Sequence, residues 1–158
     1  MVNLGLMVLA LEENNRALID EYMELVVNTE IHGNINRSGI RDINQVMHDL
    51  LDTSEEADAE LRLFLTDPAY DNPMNLSGIA LWASYFGEHE LALQIYRKLF
   101  ESGFGMIWLI WRPIHKKMRQ LPEFQDLVRD VGLVDYWLGS GKWGDFCHPA
   151  GDDDFECE

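Results

Sequence analysis

The sequence predicts an all-α fold, an array of about seven short helices. Three observations predict it. Apolar residues recur at three-to-four-residue spacing along most of the 158 residues. Proline, glycine and asparagine clusters punctuate that pattern at intervals fitting short helices. No run of alternating β-branched residues is long enough for a substantial sheet.

Leu11, Leu18, Ile19, Tyr22, Met23, Leu25 and Val26 predict a first helix over residues 6–27. The apolar stretch Leu4 to Leu11 is too short to span a bilayer. With no Lys or Arg before it and no small-residue cleavage site after it, it makes a poor signal peptide. Asn28 to Arg37, with Gly33 and three asparagines, reads as a loop. Ile40, Ile43, Val46, Met47, Leu50 and Leu51 make an amphipathic second helix, with Ser38 as its N-cap. Thr53 and Glu56 have the capping-box spacing and open a third helix through Ala57, Leu61, Phe64 and Leu65. Asp67-Pro68 and Asn72-Pro73 stop it, because a residue before proline avoids the helical region.

Residues 75–101 are the clearest unit: a helix from Asn75 to Phe86, a break at Gly87, and a second helix from Glu88 to Glu101. Leu76, Ile79, Ala80 and Ala83 line one face, and Leu91, Ala92, Ile95, Tyr96 and Leu99 the other. Ala80, Ala83 and Ala92 are small enough for two backbones to approach closely. Ser102-Gly103 ends the pair. Further on, Pro113 suits the first turn of a helix to Gln120, and Pro122 that of a helix to Val131. Gly132 fits a left-handed C-cap. Leu133, Tyr136 and Trp137 are then expected to fold back as an aromatic cap.

Residues 76–104 resemble one tetratricopeptide repeat. Leu76, Ile79, Ala80, Ala83, Gly87, Ala92 and Tyr96 stand where that repeat places its packing residues. The usual aromatic of the first helix falls on Ala83, and the usual closing proline is absent. The segment after it is similar to the tail that closes the repeat region of many bacterial regulators, which carry an N-terminal winged-helix or cyclase-type domain. Trp111, Pro113, Arg119, Pro122, Phe124, Gly132, Leu133, Tyr136, Trp137, Gly141, Trp143, Asp145, Phe146 and Cys147 carry that likeness over about a quarter of the chain. No output domain is present, so the resemblance implies an interaction module and transfers neither DNA binding nor cyclase activity. It implies a tetratricopeptide-like array of helical hairpins, an α-solenoid closed by an aromatic capping tail. The expected division is one helical-repeat domain over 1–146, with its clearest repeat at 76–104 and its cap at 105–146. An acidic, cysteine-containing tail follows over 147–158.

Twelve basic residues against 28 acidic give a formal charge of −16. Such a chain repels phosphate backbones and anionic membranes, so no nucleic-acid partner is expected. The charge favours a basic or neutral protein partner, or serves solubility. No stretch reaches transmembrane length, so no membrane insertion is expected. The absence of a signal peptide favours the cytoplasm; as part of a longer membrane-tethered regulator the module would lie in the periplasm.

Candidate chemistry is sparse. Cys147 and Cys157 are the only cysteines and flank His148, Asp152, Asp153, Asp154 and Glu156. Three readings stand open: a disulfide, a metal site with His148 and a carboxylate, or free thiols. C-H-x8-C is not a common zinc spacing, and the compartment decides between the other two. The aspartates lack the alternation of a calcium loop. Gly139-Ser140-Gly141-Lys142 fails as a phosphate loop, which would need glycine where Tyr136 stands and Ser or Thr where Trp143 stands. No nucleophile elbow or H-E-x-x-H occurs, and the histidines are scattered. His89 and His115 read as exposed, and Lys116, Lys117 and Arg119 as one solvated basic face. No enzyme activity and no cofactor are expected.

Trp82, Tyr85, Trp108 and Trp111 are the candidates to line a partner-binding groove, with core packing as the competing reading. The leading expectation is a non-enzymatic interaction or regulatory module that binds a protein or peptide. The alternatives are a metal- or redox-responsive protein using the Cys147/His148/Cys157 tail, and a self-assembling structural protein.

Overall fold

Asn14 breaks the first predicted helix in two. Its φ of 50° is left-handed, a conformation asparagine tolerates better than most residues. The Asn15 amide then bonds back to the Ala10 carbonyl and the Asn14 amide to Leu11, the paired closure of a Schellman motif. The Asn15 side chain caps the next helix by accepting from the Leu18 amide at 3.3 Å. The continuous apolar spacing hid this turn, because both halves keep the same period.

The computed structural model describes residues 2–28, 38–151 and 154–157. The predicted loop lies outside these residues apart from Asn28, as do His32, Asp152, Asp153 and the side chain of Ser38. Within them the protein is all-α: nine α-helices and one short two-stranded hairpin. They divide into two compact units, Met1–Glu88 and His89–Glu158. The boundary falls inside the segment 76–104. None of the described helices is long and apolar enough to cross a membrane.

The first unit holds α1 (Val2–Glu12), α2 (Arg16–Asn28), α3 (Ser38–Asp49), α4 (Ser54–Thr66) and α5 (Pro73–Phe86). α1 packs on α2 and α2 on α3, while α3 and α4 both pack on α5. Its core is Met7, Leu11, Ile19, Met23, Ile43, Met47, Leu61, Ile79 and Trp82, all buried. Each such side chain is worth about 1.5–3 kcal/mol. The capping box expected at Thr53 does not form. Thr53 is the N-cap residue but makes no side-chain cap bond, and its hydroxyl donates back to the Leu50 carbonyl at 3.4 Å. The prolines behave as local sterics require: α4 stops at Thr66, and Asn72 caps α5 by accepting from the Asn75 amide at 3.1 Å.

α3 and α5 meet where glycine permits it. A Cβ on Gly39 would strike the buried Asn75 amide, and one on Gly78 the Ile40 side chain. Gly39→Ala is therefore expected to cost about 1–3 kcal/mol by overpacking. Gly5, where a Cβ would meet nothing within 4 Å, supplies the control: Gly5→Ala should leave the urea midpoint unchanged or raise it.

The second unit runs through α6 (His89–Glu101), two 3-10 turns (Ile107–Trp111 and Pro113–His115) and α7 (Lys116–Arg119). It continues with α8 (Pro122–Asp130), α9 (Leu133–Ser140) and the antiparallel strands β1 (Cys147–Pro149) and β2 (Phe155–Cys157). Gly87, Gly103 and Gly132 all adopt positive φ and end helices, which only glycine does without strain. The stretch after Pro113 is helical to Arg119 as expected, but starts as a 3-10 turn. α6 packs on α7, and α8 on both α7 and α9. Leu91, Ile95, Tyr96, Leu99, Ile110, Met118, Phe124, Leu127, Val128 and Trp137 fill the core.

Candidate functional site

The chemistry-bearing side chains of the second unit form three adjoining groups: a buried polar pair, an aromatic cluster and a disulfide-tied hairpin. The pair comes first in the chain. Tyr96 on α6 and His115 at the start of α7 are both buried, and the Tyr96 hydroxyl lies 2.9 Å from His115 Nε2. Burial pushes the Tyr96 phenol up, well away from ionisation. Burial, with the Arg119, Arg112 and His89 charges behind it, pushes the His115 imidazole down to about 3. A neutral imidazole can accept from the phenol, so the pair is satisfied without charge.

His115 and Arg119 correct the sequence reading. Lys116 and Lys117 are exposed as expected, but Arg119 is only 3% exposed. Its guanidinium donates to the Ile110 carbonyl at 3.0 Å and the Arg112 carbonyl at 2.8 Å. It thereby holds the turn around Pro113 against α7, both bonds leaving from the one Nη1. A signal existed: His115 and Arg119 stand four apart, in phase with the buried Met118. His89 is partly buried rather than exposed, and burial beside Lys117 lowers its pKa.

The aromatic cluster centres on Trp111, half-buried. Phe124 meets it edge-on at 5.7 Å, Trp137 at 6.2 Å, and Phe146 stacks on it at 6.2 Å. The Arg119 guanidinium lies 4.6 Å over the Phe146 ring. Trp137 also meets Trp143 at 5.2 Å and Phe155 at 5.8 Å. Tyr136, expected in the cap, is 58% exposed. It precedes Trp137 by about 100° around the helix, and α9 turns only one of the two inward.

The four groove candidates separate. Trp82 belongs to the core of the first unit: its indole N–H donates to Asn44 Oδ1 at 2.8 Å in full burial, which leaves it nothing to offer a partner. Tyr85 is half-buried against Trp82 and Phe86, with its hydroxyl donating to Asn14 Oδ1 at 3.2 Å. In the second unit, Trp111 is tied into the cluster. Trp108 is 55% exposed.

The remaining motif residues are placed as follows. Ala80, Ala92 and Phe124 are buried. Pro122 occupies the first turn of α8 and Gly132 is left-handed before α9. Trp143 is partly exposed. Gly139 and Ser140 close α9 and Gly141 is its left-handed C-cap, so the sequence that invites a phosphate-loop reading is a helix terminus.

Of the three cysteine readings, the structure takes the disulfide: Cys147 and Cys157 are bonded across the β1–β2 register. A disulfide sulfur is no thiolate ligand, and among the described residues no group of three or more His, Cys, Asp or Glu side chains could hold a metal. The chain matches no protein-family model, no curated protein and no solved structure.

Proposed function

We propose that this chain is a non-enzymatic protein-interaction module of tetratricopeptide type, and that Trp108 anchors a basic or neutral protein or peptide partner. One observation carries the reading. Trp108 exposes more than half of its surface while standing on a rigid 3-10 turn. The next residues of that turn, Ile110 and Trp111, are held by the core and the aromatic cluster. An indole kept in water on a fixed frame loses little entropy on binding and buries a large apolar area, the chemistry of interface hot spots. Met106, two residues before it, is also exposed. The charge of −16 selects against acidic partners. The repeat reading is supported by the wholly buried Ala80 and Ala92, the buried Tyr96 and the left-handed Gly87.

The test is a stoichiometric capture from source-cell lysate, repeated with Trp108→Ala. The expected result is a captured partner whose affinity falls about tenfold or more in the variant. The melting temperature should stay nearly unchanged, because an exposed side chain contributes little to folding. A partner retained equally by Trp108→Ala overturns the anchor. A blank capture, with sedimentation that changes between two protein concentrations, moves the reading to self-assembly.

A further inference from the structure

We propose that the Cys147–Cys157 disulfide is a thiol-exchange site, attacked at Cys157 by a dithiol reductant through a cleft beside α8, and that its reduction uncovers Trp111 and Trp137. Three observations carry this, and none depends on the role of Trp108.

The two halves of the bond differ in access. Cys147 is 4% exposed, whereas Cys157 is partly exposed. Cys157 also lines a cleft of about 310 Å³, together with Arg119, Leu121, Pro122, Gln125 and Glu156. A thiolate must reach the sulfur it attacks, so access alone selects Cys157. A cleft of that volume has room for a small thiol.

The bond also holds down a structure that cannot hold itself. β1 and β2 are three residues each, and an isolated hairpin of that size is marginal in water. Its docking contacts lie just before Cys147 and between the two cysteines. Phe146 precedes Cys147 and stacks on Trp111. Phe155, fully buried two residues before Cys157, sits against Trp137 and Trp143 with Arg129 at 5.1 Å over its ring. Gln125 donates to the Phe155 carbonyl at 2.8 Å, and Arg129 pairs with Asp154 at 2.9 Å. Cutting the bond frees both ends of this cover from one another.

The exchange balances as follows. One thiolate of the dithiol attacks the Cys157 sulfur. A new S–S bond forms between them, and the Cys147–Cys157 bond breaks. The electron pair leaves on Cys147, which takes up a proton. The second thiolate of the dithiol then attacks its own partner sulfur and expels Cys157 as a thiolate, which is protonated in turn. The dithiol ends as a disulfide, oxidised by two electrons, and the protein gains two thiols. The exposed Glu156 in the cleft and the charge of −16 disfavour a reductant that carries carboxylates beside its attacking thiolate and favour one whose other groups are neutral or basic.

The test uses the full oxidised chain under native conditions, in dithiothreitol buffers of increasing reduced fraction. Expected is a reversible transition that adds two alkylatable thiols, together with a red shift of tryptophan emission. Reduction only in denaturant, or reduction with unchanged emission, overturns the proposal. Glutathione then maps the attack: after acid quench and alkylation, the glutathione adduct should sit on Cys157 in about tenfold excess over Cys147. Adducts mainly on Cys147 overturn the assignment. Glu156→Lys should speed reaction with anionic glutathione by about threefold or more at low salt, an advantage lost in high salt. A matched reversal on α6, Glu90→Lys, should not; equal effects from the two overturn the cleft as the route.

Discussion

Tyr96→Ala is expected to destabilise the protein by about 3–5 kcal/mol, the usual cost of emptying a large aromatic site in a core. The ring is 1% exposed, stacks on Phe100 at 6.0 Å and meets His115 edge-on at 5.1 Å. Truncation leaves a cavity between α6 and α7 and strands the buried His115 Nε2. Tyr96→Phe separates the two effects: it keeps the ring and removes only the hydroxyl bonded to Nε2. That variant should lose about 1–3 kcal/mol, the penalty of one unsatisfied buried partner. Urea denaturation of the two variants checks both numbers. A loss below about 1 kcal/mol for Tyr96→Ala would mean that α6 does not pack through this residue.

Acidification is expected to destabilise the protein through His115. Its pKa is about 3 in the folded chain, against an ordinary value of 6.5. Above pH 6.5 the imidazole is neutral in both states and contributes nothing to the pH dependence. As pH falls below 6.5 the unfolded chain takes up a proton that the folded chain refuses, so stability drops until pH 3. At 1.36 kcal/mol per unit the loss is about 2 kcal/mol at pH 5 and about 3 at pH 4. The cause is desolvation of the charged imidazole, reinforced by the neighbouring Arg119 and Arg112. His115→Gln can still accept from Tyr96 and does not titrate. Its urea midpoint should therefore fall less than the wild type's between pH 7 and pH 5, the remaining slope coming from His89, whose pKa burial also lowers. A shallower slope remains at lower pH, because the His48 ring and Arg16 hold the Asp20 carboxyl below its usual range. Parallel slopes for the two proteins above pH 5 would exclude His115 as the acid-sensitive group.

Helix boundaries were legible wherever one residue type dictates its own backbone. Asp67-Pro68, Asn72-Pro73, Gly87, Gly103, Pro122 and Gly132 all end or begin elements as their local sterics require. Asn14 was missed because asparagine is only permitted, not compelled, to turn left-handed. Thr53 shows the converse: the spacing for a capping box was present, yet the hydroxyl found the Leu50 carbonyl instead.

Burial was less legible, and the errors share a cause. Lys116, Lys117 and Arg119 look alike in a run of charges, but Arg119 reaches the Ile110 and Arg112 carbonyls at the turn before α7. Tyr136 and Trp137 look alike as adjacent aromatics, but a helix turns only one of them to the core. Trp82 and Trp108 look alike as groove candidates, yet one finds Asn44 in the interior and the other stays in water. The choice among disulfide, metal and free thiols could not be made from Cys147 and Cys157 alone. It rests on the register that sets those two residues opposite one another.

The sequence by itself determined the all-α class, the turns that proline and glycine dictate, and a strongly acidic net charge, because these follow from covalent geometry, side-chain period and charge along the chain. Tertiary structure alone decided which polar side chains went inside, which tryptophan stayed out, and which cysteine lines the cleft. Those outcomes depend on partners distant in sequence: a carbonyl, an aromatic face or a second strand must arrive at hydrogen-bond or van der Waals range before a residue's own preference has anything to act on.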